Sequence, residues 1–127
     1  MKKIETREAA LPLGHYSQAI VSGDLVFVSG VLPIEPGAEL DSSRSFKEQA
    51  ECVLRNAAAI LKEAGANLSN VVKATVYVTN IENWKDFDQA YAAAFGEHKP
   101  ARAVAPVPNL HHGFDVEMEL IASVSGN

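Results

Sequence analysis

Segments with the two-residue period of a β-strand alternate along this sequence with segments that have the period of an α-helix, and only two segments are helical. The predicted order is strand, strand, helix, strand, helix, strand, strand. Two helices can cover only one face of the sheet that such strands build, so the other face must meet water or another subunit. We therefore expect a single domain over residues 1–127 with one open sheet face, and we expect it to assemble as an oligomer.

The two predicted helices begin and end at recognisable capping residues. Ser45 and Glu48 form a capping box, and apolar residues then recur at helical spacing as far as Gly65, which suits the position after a helix. The second helix begins at Asn83 and ends at Gly96. Its apolar face is typical of a protein core rather than of a cofactor site: Trp84, Phe87, Tyr91, Ala94 and Phe95.

The predicted strands are short and apolar on at least one face. Residues 17–21 and 25–29 form a hairpin joined at Ser22-Gly23-Asp24, and residues 101–107 and 115–124 form the last two strands. A strand between the helices alternates apolar and polar side chains, with Val72, Ala74, Val76 and Val78 on its apolar face. The opposite face carries Thr75, Tyr77 and, from the last strand, Ile121, a mixed surface typical of a subunit interface.

Composition excludes several classes of partner. The net charge is −5, and the basic residues are scattered, so we expect no nucleic-acid partner. No apolar run approaches a membrane span and no secretory signal is visible, so we expect a cytoplasmic protein with no membrane partner. The single Cys52 suits a reducing compartment, and we interpret it as structural rather than reactive.

Arg102 is the charged residue for which the sequence most strongly predicts an anionic partner. It follows Lys99-Pro100-Ala101 into a predicted strand, where Pro100 stiffens the backbone and a guanidinium is costly to bury alone. Glu117 and Glu119 share one face of the last predicted strand, which we expect next to the strand that starts at Arg102. Two interpretations remain open: a structural salt bridge to either glutamate, or recognition of an anionic ligand by the planar guanidinium.

Three further residues are ambiguous from sequence. Ser29-Gly30 ends a strand, either as an ordinary turn or as a place where a ligand approaches a backbone amide. Tyr16, just before the first predicted strand, is a core or a rim residue.

The histidines and glycines favour neither a metal nor a nucleotide. The four histidines are His15, His98, His111 and His112, and none has the spacing of a metal site. We interpret His111-His112-Gly113 as a turn between the last two strands, near a site mouth. Because there is also no glycine-rich phosphate loop, we expect no metal and no cofactor.

Five segments, in order and at the expected spacing, resemble the RidA family, also called YjgF/YER057c/UK114. Residues 14–19, GHYSQA, resemble the family element GPYSQA, and residues 27–33, FVSGVLP, resemble FVSGQIP. Residues 70–78, NVVKATVYV, resemble DVVKTTVFV. Residues 97–102, EHKPAR, resemble the start of EHKPARS, and residues 116–122, VEMELIA, resemble VEIEAIA. The similarity runs from about residue 9 to residue 124.

This resemblance implies a chorismate-mutase-like α+β fold, ββαβαββ with two helices on one face of a mixed sheet, and a homotrimer with clefts between subunits. It implies cofactor-free hydrolysis of enamine/imine acids, such as 2-aminoacrylate/2-iminopropanoate, to 2-keto acids and ammonia. Arg102 would bind the substrate carboxylate, and Glu117 would position or activate the attacking water. Tyr16 would line the cleft, and Ser29 and Gly30 would border it.

The sequence departs from the family pattern at several positions, and we expect these changes to alter the pocket walls. They put the identity of the substrate in question more than the class of reaction. A deaminase of another substrate, such as 2-aminomuconate, and a non-catalytic regulator that binds 2-keto acids remain alternatives. The acidic charge disfavours a ribonuclease. The departures are His15 for proline, Val31 for glutamine, Asp88 for asparagine, Ala103, Val104, Ala105 and Pro106 for a segment with serine and cysteine, and His111-His112 for proline and a basic residue.

Overall fold

A six-stranded mixed sheet carries two α-helices in the computed structural model of this chain, which describes residues 1–124. The last three residues of the predicted domain lie outside this range. The strands run in the order β1-β2-β3-β6-β4-β5, and only β4 and β5 are parallel neighbours. The elements are β1 Lys2–Ile4, β2 Ala19–Ser22, β3 Leu25–Val31, α1 Phe46–Glu63, β4 Val71–Val78, α2 Trp84–Phe95, β5 Ala101–Pro106 and β6 Val116–Ser123.

The first helix is bounded as predicted. Ser45 Oγ accepts the backbone N–H of Glu48 at 3.2 Å, and Glu48 Oε1 accepts the backbone N–H of Ser45 at 3.4 Å, which completes the capping box. Beyond the helix Gly65 has φ +81°, a conformation that glycine adopts without steric cost.

The second helix is confirmed, with two exceptions on its apolar face. Phe87, Tyr91 and Phe95 are buried in the core. Trp84 was predicted there and is 41% exposed, because it occupies the first turn, where the helix runs past the core. Ala94 is also exposed, at the margin of the apolar stripe.

Strand β4 departs from simple alternation at its start. Its register with β6 shifts between Val71 and Lys73, so Val71 is buried and Val72 is 47% exposed. The prediction that Val72 faces the core is therefore wrong, because a bulge reverses the alternation at this point. From Ala74 onward the predicted pattern holds. The sequence analysis also missed β1, whose three residues include only one buried side chain, Ile4.

The position of β6 corrects an expectation about Arg102. β6 pairs with β3 and β4 and does not neighbour β5, because β4 lies between them. Ala74 pairs with both Arg102 and Leu120, so Arg102 shares the helix-covered face with these core residues. Glu117, opposite Tyr77, lies on the other face.

The open face carries the mixed surface that the sequence predicted. Thr75, Tyr77 and Ile121 are half-buried there, and Tyr77 Oη donates to Glu119 Oε1 at 2.5 Å. Neither helix within residues 1–124 is long and apolar enough to cross a membrane.

Candidate functional site

Four of the predicted site residues line one cavity of about 310 Å³ at the end of β3. We call it the Glu117 cavity. Gly30 forms part of its wall, and its polar residues are Tyr16, Gln18, Ser29, Asn56, His111, His112 and Glu117. The rest of the lining is apolar or glycine: Ala10, Leu11, Leu13, Gly14, Val31, Leu32, Ile34 and Ile60. A cavity with apolar walls and few polar groups is the usual form of a small-molecule site.

Gly30 allows the Glu117 carboxylate to approach the backbone of β3. A Cβ atom at position 30 would lie 2.6 Å from Glu117 Oε2, so any other residue there would displace the carboxylate from its present position. The register between β3 and β6 shifts in this region, between Val28 and Val31. Such irregularities often change the direction of side chains next to functional sites. Here the register shift lies where the Glu117 side chain packs against the backbone of Gly30, which has no side chain of its own.

The segment before β2 is held against the cavity by a buried amide. Gln18 Nε2 donates to the carbonyls of Thr6 and Ala10, at 3.0 and 2.8 Å, and Gln18 Oε1 accepts the Thr6 N–H at 2.7 Å. Ser29 Oγ donates to the Ser17 carbonyl at 2.6 Å. The ring of Tyr16 is half exposed at the cavity mouth. Gln18 was not among the predicted site residues, although it belongs to the GHYSQA segment that carried the resemblance.

Glu117 is a half-buried carboxylic acid that makes no hydrogen bond or ion pair to another of residues 1–124. Burial raises its pKa above the ordinary 4.5; the positive charge of His111 opposes this shift, and the negative charge of Glu119 adds to it. Because its pKa is raised, this carboxylate is a stronger proton acceptor than an exposed glutamate.

The His111–Gly113 segment is a single 3₁₀ turn between β5 and β6, as predicted, and both histidines line the Glu117 cavity. His112 adopts φ +62°, a left-handed conformation that is uncommon for a residue other than glycine. Among the described residues no group of three His, Cys, Asp or Glu side chains is placed to hold a metal ion.

Arg102 lies in a different place, a cleft of about 400 Å³ against α2. We call this the Arg102 cleft; it is lined by Asp88, Tyr91, His98 and Lys99. Arg102 Nη1 donates to Asp88 Oδ1 at 2.7 Å, and the guanidinium lies 4.7 Å from the centre of the Tyr91 ring. A salt bridge from Arg102 to Glu117 or Glu119 of the same chain, which the sequence left open, is wrong, because those side chains lie on the opposite face.

Only some of the positions that depart from the family pattern line these two sites, and His15 lines neither. Val31 and His111-His112 line the Glu117 cavity, and Asp88 lines the Arg102 cleft. The segment from Ala103 to Pro106 runs along β5 and lines neither, so within one chain it does not alter the walls as expected. Cys52 is buried in α1, where burial and then the neighbouring Glu35 raise the pKa of its thiol, as suits a structural residue.

Fold and site together define a single-domain α+β protein with a carboxylate cavity, an arginine cleft and an open sheet face. The family model described as Endoribonuclease L-PSP matches residues 6–124. The chain therefore belongs to this family, the YjgF/RidA family, as the sequence motifs indicated.

Individual relatives agree with this assignment. A RutC family protein of Pyrococcus abyssi is 43% identical over 119 residues, 94% of each chain. Reactive Intermediate Deaminase A, chloroplastic, of Arabidopsis thaliana is 39% identical over 121 residues, which are 95% of this chain and 65% of the relative. Escherichia coli TdcF, solved with bound serine, is 32% identical with a TM-score of 0.92, over 98% of this chain and 100% of its own.

Proposed function

We propose that this protein hydrolyses reactive enamine/imine acids, of the 2-aminoacrylate/2-iminopropanoate type, to 2-keto acids and ammonia. The observation that carries the proposal is the Glu117 carboxyl group, half-buried against Gly30 with a raised pKa in a cavity of small-molecule size. The name of the Arabidopsis relative supports the class of reaction. The serine bound to the E. coli relative supports a ligand of amino-acid size.

The reaction needs few catalytic groups, because an imine carbon is already electrophilic. Glu117 accepts a proton from a water molecule as the water oxygen adds to the C=N carbon, and it passes this proton to the nitrogen to give a carbinolamine, HO–C–NH2. Glu117 then transfers the hydroxyl proton to the amine nitrogen, so the C–N bond breaks as the C=O bond forms, and NH3 departs with both electrons of the C–N bond. Holding the acid and one water in line supplies most of the rate, and a positioned base supplies the rest.

We further propose that each complete site combines two copies of the chain. Arg102 binds the substrate carboxylate, Glu117 handles the water, and Tyr16, Ser29 and Gly30 border the ligand. Within one chain Arg102 and Glu117 lie on opposite faces of the sheet, so a neighbouring copy must supply one of them. The half-buried open face and the position of β5 at the sheet edge leave surfaces for this contact. The homotrimer that the resemblance implies provides such neighbours.

We infer a cytoplasmic enzyme without cofactor that acts downstream of pyridoxal phosphate enzymes, as metabolite damage control. The net charge of −5 argues against a nucleic-acid substrate, despite the description of the family. The buried thiol of Cys52 suits a reducing compartment. Fractionation of cells that express a tagged chain checks the compartment directly.

The test generates 2-iminopropanoate in situ from L-serine with a dehydratase and follows pyruvate release. The wild-type protein accelerates release, and Arg102→Ala removes the acceleration. Arg55→Ala is the matched control, because Arg55 is also paired to a carboxylate, Glu35 at 2.5 Å, and neither residue lines either site. If the wild type gives no acceleration but binds pyruvate through Arg102, the protein is a 2-keto-acid-binding regulator. Acceleration only with other imino acids, such as 2-aminomuconate, would change the substrate and keep the reaction.

A further inference from the structure

The Arg102 cleft contains a second charged side chain that the proposed reaction does not use. Asp88 accepts a hydrogen bond from Arg102 Nη1 at 2.7 Å, yet 47% of the Asp88 side chain remains exposed, against 22% for Arg102. A guanidinium has five N–H donors, and this contact occupies one of them. Both charges therefore remain available to a ligand that enters the cleft.

A carboxylate beside a guanidinium matches a particular class of ligand. The arginine side attracts a carboxylate, and the aspartate side attracts a protonated nitrogen that lies a few ångströms away. α-Amino acids and protonated imino acids carry these two charges on adjacent carbon atoms. A 2-keto acid has the same carboxylate, but it carries a carbonyl oxygen where the nitrogen would be, and this oxygen cannot donate to Asp88.

Tyr91 lines the cleft beside the Arg102 guanidinium. Only 6% of Tyr91 is exposed, and its hydroxyl has no hydrogen-bond partner among the described residues. Burial raises the pKa of Tyr91; Arg102 opposes this shift and Asp88 adds to it, so the hydroxyl keeps its proton and remains a donor. Because this hydroxyl has almost no exposed surface, a ligand in the cleft meets the charges of Arg102 and Asp88 rather than the hydroxyl of Tyr91.

We propose that Asp88 makes the Arg102 cleft selective for acids with a protonated nitrogen beside the carboxylate, and against 2-keto acids. This inference rests on the proposed function, since it assumes that Arg102 binds the carboxylate of the substrate. Asp88 is thereby a specificity residue for the substrate, and it weakens binding of the product in which a carbonyl oxygen has replaced the nitrogen.

A purely structural role for Asp88 gives a different pattern of effects. If Asp88 only holds the guanidinium in place, Asp88→Asn keeps an oxygen acceptor for Arg102. The affinities for all ligands then change in the same direction. If its charge selects the ligand, the same substitution weakens binding of a zwitterion and strengthens binding of a keto acid. Opposite changes in two affinities cannot arise from a general loss of order.

The experiment titrates L-alanine and pyruvate, a pair that differs at the nitrogen position, into the intact protein and follows chemical shifts by NMR. We expect Asp88→Asn to weaken alanine binding about fivefold and to strengthen pyruvate binding by a similar factor, as for one unit charge at about 4 Å in a solvated site. Asp86→Asn is the matched control, because it removes the same charge from an exposed position two residues earlier on α2.

The outcomes separate this inference from the proposed function. Suppose that Arg102→Ala abolishes binding of both ligands, while Asp88→Asn changes both affinities in the same direction. Arg102 then binds the ligand carboxylate as proposed, and the proposed selectivity of Asp88 is wrong. If Arg102→Ala leaves both affinities unchanged, Arg102 does not bind the substrate carboxylate, and the proposed function is contradicted on that point. Failure of alanine to bind the wild type at millimolar concentration contradicts the selectivity directly.

Discussion

Within residues 1–124, the Glu117 cavity contains an unpaired ionisable group, whereas the ionisable group of the Arg102 cleft is paired with an opposite charge. Glu117 is half-buried among apolar walls with no ion-pair partner in the described chain, and its pKa is raised. Arg102 is also largely buried, but it is paired to Asp88 and lies over an aromatic ring. An unpaired acid is suited to moving a proton, whereas a paired and oriented guanidinium is suited to holding a ligand. The sheet separates the two regions, so in the proposed reaction neither holds both Arg102 and Glu117.

The largest effect is expected from removing the proton acceptor of the cavity. Glu117→Gln should lower kcat by at least about 100-fold, the usual contribution of a positioned general base. Glu119→Gln is the matched control, since it lies two residues away on the same face and is exposed at the surface. Steady-state pyruvate release measures both. Equal activity of Glu117→Gln and the wild type would show that the cavity only binds its ligand.

Changing the cleft while keeping its charge should cost less. Arg102→Lys retains the positive charge but loses the planar arrangement of donors, so kcat/KM should fall about 10- to 100-fold, as expected for one or two charged hydrogen bonds. The fall should appear mainly in KM if the arginine binds substrate and transition state alike. Arg55→Lys, at a surface ion pair with Glu35, serves as the control. Unchanged KM and kcat for Arg102→Lys would rule out recognition by the guanidinium fork.

Gly30 links the cavity to the stability of the fold. Gly30→Ala should destabilise the protein by about 1 kcal/mol, the lower end of the range for forcing atoms into a packed site, because the new Cβ meets the end of the flexible Glu117 side chain, which can shift. Glu117→Ala removes that carboxylate, so Gly30→Ala should cost little in that background. Urea unfolding of the four proteins in this cycle measures the coupling. Additive effects would mean that the clash is relieved elsewhere.

The sequence predicted most of the elements because their signals are local. The capping box at Ser45, the glycine after each helix and the alternation in β6 depend on neighbours a few residues apart. The sequence could not show that β4 lies between β5 and β6, since strand order depends on contacts between distant segments. For the same reason it placed Arg102 beside Glu117, and it noted Asp88 as a departure without identifying it as the partner of Arg102. The bulge that exposes Val72 is likewise set by pairing with β6.

The smallest expected effect concerns the pH dependence of the cavity. Glu117 must be ionised to accept a proton, and its pKa is raised, so activity should fall as the pH drops through a value above 4.5. Because the charge of Glu119 contributes to that shift, Glu119→Gln should move this acid limb to lower pH by a few tenths of a unit, the size expected between exposed charges. A movement to higher pH would contradict this assignment of the titrating group.

The same shift predicts how Glu117 affects stability. A carboxyl whose folded-state pKa is raised favours the folded state when protonated and opposes it when ionised. At pH 7–8 Glu117→Gln should therefore raise Tm by about 1–3 °C, and the gain should shrink as the pH falls toward 4.5. Differential scanning fluorimetry across this range checks the sign, and a lower Tm for the variant at pH 8 would contradict it.

Mixing two inactive variants tests most directly whether each site draws on two copies of the chain. Arg102→Ala and Glu117→Gln are unfolded together in equal amounts and reassembled, and mass spectrometry verifies that the copies have mixed. If one subunit supplies the arginine and its neighbour the glutamate, about one quarter of the sites regain both residues, and pyruvate release returns to about a quarter of the wild-type rate. If both residues must come from the same chain, the verified mixture stays as inactive as either variant alone.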